Sequence, residues 1–91
     1  MILEIVSPEA TLFTGEVAAV SVPGSDGSFE MLNNHAPIVA ALKEGTVVIK
    51  GQVTVTNQYE DLFRKQGDTT LLDITSGTVE MNANKVILLI D

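Results

Sequence analysis

A single histidine closes a glycine-bearing stretch, "PGSDGSFEMLNNHAPIVAAL" (residues 23–42), and this is where chemistry would have to come from. His35 is the side chain that exchanges a proton near neutral pH. A nucleophilic triad would need a serine and a carboxylate converging on it. Ser28 and Glu30 are near in sequence, but that is no evidence of convergence. A lone histidine after a turn reads first as a hydrogen-bonded structural or interface residue. The glycines Gly24 and Gly27 suggest a phosphate cradle, yet such loops stand just before a helix and usually carry a lysine. Here "GSDGS" lies between strand-like segments, and Asp26 would repel phosphate. The twelve carboxylates are spread along the chain with neither a paired-acid nor a calcium-loop spacing. With one histidine and no cysteine, one chain cannot build a nitrogen- or sulfur-ligated zinc site, a disulfide or a thiolate nucleophile. No catalytic residue, metal or cofactor is expected.

Charge narrows the partners. The net charge is −7. No nucleic-acid partner is expected, because lysines and arginines must replace the counterions of the phosphates. An anionic membrane surface is disfavoured on the same ground. The apolar runs "APIVAAL" and "VILLI" fall far short of the ~20 residues of a membrane span, so no direct membrane insertion is expected. The first residues lack a basic region and carry Glu4, unlike a signal peptide. Ninety-one residues make one domain, 1–91, that buries roughly 60–65% of its unfolded surface.

The elements that must carry these residues have a period of two. "ILEIV" (2–6) reads as a strand stopped at Ser7-Pro8-Glu9, since proline donates nothing to a ladder. "EVAAVSV" (16–22) puts Ala18, Val20 and Val22 on one face and Val17, Ala19 and Ser21 on the other. Pro23-Gly24 suits a type II turn and Asp26-Gly27 a hairpin, both glycines taking positive φ. "SFEML" (28–32) points Phe29 and Met31 inward, and "NNH" (33–35) breaks the pattern. "EGTVVIKGQVTVT" (44–56) and "SGTVEMNANKVILLI" (76–90) echo each other as strand, turn, strand, turning at Lys50-Gly51 and at Asn82-Ala83-Asn84. Val47, Ile49, Val53 and Val55 are the inward residues of the first. Val86 to Ile90, apolar without a break, predicts a strand covered on both faces. Between them, 57–70 spaces Tyr59, Leu62 and Phe63 like a helical turn, or forms two strand ends around a loop. "LLDIT" (71–75) resumes strand. The fold class is all-β: a small antiparallel β-sandwich of about eight to ten short strands.

The apolar content exceeds what a thin sandwich hides. "VAAV", "PIVAAL", "TVVI" and "VILLI" do not alternate, and an apolar face left over marks a protein partner. Ala36, Ala40 and Ala41 are small enough to let another backbone approach.

"LEIVSPEATLFTGEV", "VPGSDGSFEMLNNHAPIVAALKEGTV" and "SGTVEMNANKVILLI", in that order over nearly the whole chain, resemble the N-terminal domain of the ε subunit of F-type ATP synthase. The Gly-x-Phe to His-Ala-Pro block is the most specific part, and 57–70 matches least. The resemblance implies a β-sandwich of about ten strands in the central stalk. It implies a non-catalytic rotor subunit that binds the γ subunit and the c-ring and couples proton translocation to ATP synthesis, with no small-molecule substrate. It implies γ-facing residues at Ser7, His35, Ala36, Ile38 and Ala40. It implies c-ring-facing residues at Gly24, Asp26, Gly27, Ser28 and Glu30. The location that follows is the cytoplasmic face of a bacterial plasma membrane. Members of the family typically continue into two helices. This sequence stops at Asp91, as a short natural form or a piece of a longer chain would. The competing reading is a small β-sandwich ligand-binding module or enzyme with a site near His35.

Overall fold

Segments that alternate can bury only one face each, and ten of them solve the problem together. The computed structural model describes residues 1–91. Its strands are β1 Ile2–Val6, β2 Thr11–Glu16, β3 Ala19–Gly24, β4 Gly27–Leu32, β5 Ile38–Leu42, β6 Gly45–Lys50, β7 Phe63–Gln66, β8 Thr69–Ile74, β9 Gly77–Asn82 and β10 Lys85–Ile90. One 3-10 turn, Glu60–Leu62, precedes β7. All ten share one hydrogen-bonded sheet, β2-β1-β10-β9-β5-β3-β6-β8-β7, with β4 on β3. The β5–β3 link is a single pair, Gly24 with Leu42. There the sheet folds over, so that β2-β1-β10-β9-β5 faces β4-β3-β6-β8-β7. Between the layers lies one aliphatic core, with Leu3, Ile5 and Leu88 from the first and Val20, Val47 and Ile49 from the second, all fully buried. The fold is the expected β-sandwich, antiparallel except for the pair β1–β10.

Four local expectations give way to tertiary demands. Pro23-Gly24 is not a turn but the buried end of β3. The turn lies one step later, at Ser25-Asp26, where only Gly27 has positive φ, 127°. Segment 16–22 is not one strand. Glu16 closes β2, and the chain kinks so that Val17 and Ala19 are buried while Ala18 is exposed. Residues 52–56 form no strand, because both edges of β6 are already taken, by β3 and β8. Val53 and Val55 nonetheless pack against the core. β10 is covered on one face only: Val86, Leu88 and Ile90 are buried, Ile87 is half-buried, and Leu89 is 49% exposed. Segment 57–70 combines the two readings left open, a helical turn and then strand β7.

The strand register sorts the loops into two ends. Val6, Leu89, Leu42, Gly77 and Gly24 are near neighbours at one end, which therefore carries Ser7 and the β3–β4 loop. The other end carries the β4–β5 crossover, residues 33–37, beside the β9–β10 turn.

Candidate docking site

The β3–β4 loop is stiff for steric reasons. Gly24 and Gly27 are the last cross-strand pair. A Cβ on Gly24 would sit 2.6 Å from the Gly27 carbonyl oxygen and 2.9 Å from the Phe29 ring. The N–H of Ser25 donates to the Ala41 carbonyl, and that of Lys43 to the Pro23 carbonyl, each at 2.9 Å, stitching the hairpin to the end of β5. Ser25, Asp26, Gly27 and Ser28 stand out in solvent on this base, while Gly24 is buried and shapes the loop from beneath. Glu30 is separate from the tip. It lies mid-strand on the outer face of β4, 2.8 Å from the Lys50 ammonium, and accepts the Ser21 hydroxyl at 3.3 Å. The Lys50 hydrogen bond holds its carboxyl below the usual value.

The five residues of the expected γ side do not form one patch. His35 and Ala36 are exposed at the crossover end, and Ser7 lies at the other end. The Ser7 hydroxyl is occupied locally, donating to the Ala10 carbonyl at 3.2 Å and accepting the Ala10 N–H at 3.3 Å. Ile38 and Ala40 are opposite Met81 and Val79, so they point inward. They are half-buried and, with Phe29, floor a cleft of about 550 Å³ along the open edge between β4 and β5. His35 Nδ1 is 2.7 Å from the carbonyl of its neighbour Ala36, and His35 lines none of the five main clefts. Its geometry is that of a loop residue. No three histidine or acidic side chains converge as a metal would require, and no helix is long and apolar enough to cross a membrane.

Sequence reasoning names Ala41 only for its small size and passes over Val39, and both turn outward. Val39 is 75% exposed, and Ala41 is exposed beside it. Across the first layer the register aligns Val6, Leu89, Thr78 and Ala41 in one row and Glu4, Ile87, Glu80 and Val39 in the next. These two rows set apolar side chains between Glu4 and Glu80, running from Ser7 to β5, while the next row adds Ile2, Lys85 and Asn82 and β2 adds Thr14 and Glu16. Strict alternation along β5 was the signal: if Ile38 and Ala40 turn in, Val39 and Ala41 must turn out. The outer face of the second layer is different. Half-buried Val48 and Leu71 are flanked there by the Glu30–Lys50 pair and by Asp73, which pairs with Arg64 and accepts the Thr46 hydroxyl at 2.8 Å. Arg64 chiefly, and then Thr46, hold the Asp73 carboxyl below its usual value. That face carries both ion pairs of the chain and one strongly exposed apolar strand residue, Leu32 at 55%.

Known proteins share this architecture. Residues 1–91 match the ATP synthase delta/epsilon chain β-sandwich domain. The epsilon chain of Chlorobium limicola is 39% identical over 87 residues, covering 96% of this chain and 84% of its own. That of Caulobacter vibrioides is 48% identical over 77 residues, covering 84% and 90%. Among solved structures, a chain of the Tetrahymena thermophila mitochondrial ATP synthase central stalk and c-ring superposes with a TM-score of 0.72 at 15% identity, over 98% of this chain and 61% of that one. One from the Euglena gracilis mitochondrial enzyme gives 0.74 at 18%, over 99% and 49%. At such identities the superpositions speak for the fold alone, while the sequence matches, which span the whole domain, speak for descent. The chain belongs to the ATP synthase delta/epsilon family, as a β-sandwich domain of the epsilon type.

Proposed function

We propose that this chain is a non-catalytic rotor subunit of the central stalk of an F-type ATP synthase. It sits on γ through the outer face of its first layer and the adjoining β5 edge, and on the c-ring through the β3–β4 loop. Its part is mechanical: it joins the two so that proton flow through the ring turns γ and drives ATP synthesis. It works at the cytoplasmic face of a bacterial plasma membrane, as a peripheral member of the complex. The observation that carries the reading is the asymmetry of the two outer faces: the first exposes Val39, Leu89 and Ile2 and holds no ion pair, while the strands of the second hold both ion pairs and expose Leu32 alone among their large apolar residues. A free-standing monomer has no use for the difference; a subunit clasped on one side does.

The geometry supports both contacts. Val39, Ala41 and Leu89 offer apolar area, and Glu4 and Glu80 favour a partner with lysine or arginine between its own apolar residues. His35 and Ala36 extend the surface at one end and Ser7 at the other, with Ile38 and Ala40 reached through the β4–β5 cleft. At the loop, Asp26 and Ser28 meet the polar loops of the ring, Gly27 makes the turn possible, and Gly24 and Glu30 brace the hairpin. A stiff loop loses little conformational freedom on docking. An exposed Asp26–cation pair contributes only ~0–1 kcal/mol and is screened by salt. The test is proton pumping against ATP hydrolysis in reassembled enzyme. Asp26→Lys lowers the ratio modestly, and most at low ionic strength. A ratio indifferent to Asp26→Lys and to loss of the whole loop tip would remove the loop from the ring.

A further inference from the structure

Asparagines at the crossover end form a clasp between the two layers. Asn84 stands in the β9–β10 turn with φ of 60°. Its Oδ1 accepts the backbone N–H of Asn34 at 2.7 Å, and its Nδ2 donates to Oδ1 of Asn33 at 2.8 Å. The Met1 ammonium donates to that same Asn33 oxygen at 3.1 Å. One side-chain amide thus grips two consecutive residues that are about fifty positions away in sequence. The gripped segment is the start of the β4–β5 crossover. There Asn34 adopts φ of 63°, and the His35 N–H closes the turn onto the Leu32 carbonyl at 3.0 Å. His35 and Ala36 follow immediately, exposed.

We infer that Asn84 is a positioning residue for docking: it holds the crossover in one conformation, so that His35 and Ala36 meet the partner already ordered. The inference rests on the docking proposed above. A loop fixed before binding loses less conformational freedom on binding, and the Asn84 amide adds a grip from the opposite layer to the His35–Leu32 and Met1–Asn33 bonds that also hold the turn at Asn34. Asn84 suits the role because asparagine tolerates the left-handed region that its own turn requires, while still offering both a donor and an acceptor.

Two variants test it. Asn84→Gly keeps the turn, since glycine adopts positive φ freely, and deletes both bonds. Asn84→Asp keeps the acceptor for the Asn34 N–H. The readouts are amide hydrogen exchange at Asn34 in the free domain, the thermal unfolding midpoint, and affinity for a γ-containing catalytic head. Asn84→Gly is expected to speed exchange at Asn34 by roughly tenfold and to weaken binding by roughly three- to tenfold, the range that one or two hydrogen bonds convert to, with little change in midpoint. Asn84→Asp is expected to restore the protection and most of the affinity. If both variants lose affinity only in step with the midpoint, the clasp is merely structural and the inference is wrong. It is equally wrong if Asn84→Gly leaves affinity unchanged. Should wild-type protein fail to bind γ, the docking reading fails and takes the inference with it. Should wild type bind while Asn34 exchange ignores Asn84→Gly, the clasp alone fails.

Discussion

Val39→Glu separates folding from docking. Val39 is 75% exposed and opposite Glu80 on β9. In the free domain the new carboxylate stays in water. Its one penalty is the like charge across the strand pair, about 0.2–1 kcal/mol. A 91-residue domain has about 5–14 kcal/mol of stability at typical per-residue values, so it remains folded. Docking is another matter. Three-quarters of a valine still available for burial represents about 1–2 kcal/mol at the usual value for a whole side chain. A carboxylate trapped without a partner costs about 3–5 kcal/mol more. Even the lower sum, about 4 kcal/mol, weakens binding roughly a thousandfold. Val39→Thr, without the charge, loses no more than that apolar contribution, at most roughly fivefold to thirtyfold. Gln66→Glu, on the exposed far edge of the second layer, leaves affinity unchanged. The assay is competition for a γ-containing catalytic head, with urea unfolding of each free variant alongside. A folded Val39→Glu domain that binds within twofold of wild type refutes the face assignment.

Three further outcomes follow from particular contacts. Gly27→Val disrupts coupling in reassembled enzyme more than Asp26→Lys does, because a β-branched residue resists the φ of 127° at the turn; equal effects would mean that loop shape is irrelevant. Thr70 is fully buried with its hydroxyl unpaired, so Thr70→Val raises stability by about 1 kcal/mol, and a loss in urea unfolding would show that the hydroxyl has a partner after all. Glu30 and Asp73 have carboxyls held below their usual values by Lys50 and Arg64 respectively. A carboxyl with a depressed folded pKa stabilises above its unfolded pKa, and the contribution disappears as pH falls through the folded one. The thermal midpoint should therefore fall on acidification below the ordinary carboxylate range, and less steeply when Glu30→Gln and Asp73→Asn are combined; parallel curves would mean that these exposed pairs contribute nothing.

The sequence was legible where local sterics decide. Gly27, Asn34, Ala83 and Asn84 take the positive φ that few residues tolerate, at or beside the turns that their sequence predicts, although the first turn falls at Ser25-Asp26 rather than at Asp26-Gly27. It was illegible where a partner decides. Residues 52–56 alternate as a strand should, but alternation supplies a face and not a free edge, and β6 has none to give. Pro23-Gly24 looks like a turn from its own preferences. Gly24 is needed instead because the Gly27 carbonyl and the Phe29 ring occupy the space of a Cβ. The candidate site shows the same division. The small, apolar "HAPIVAAL" reads as an apolar segment and runs into strand β5, whereas the choice of Val39 and Ala41 as its outward residues depended on which side of β5 meets the core. Val79 and Met81, some forty residues away on β9, make that choice. The run "VILLI" likewise predicted two covers for β10 and found one within the chain. Under the proposed docking, γ is the second cover.

Photo-crosslinking in the assembled enzyme asks which layer γ covers. A photoreactive residue is placed in turn at Val39, Asp26 and Gln66, and the product of each is identified by mass spectrometry. Position 39 is expected to link to γ, position 26 to the c subunit, and position 66 to neither. Links to γ from position 66 and none from position 39 would contradict the proposed docking, because the ion-paired outer layer would then be the face that γ meets.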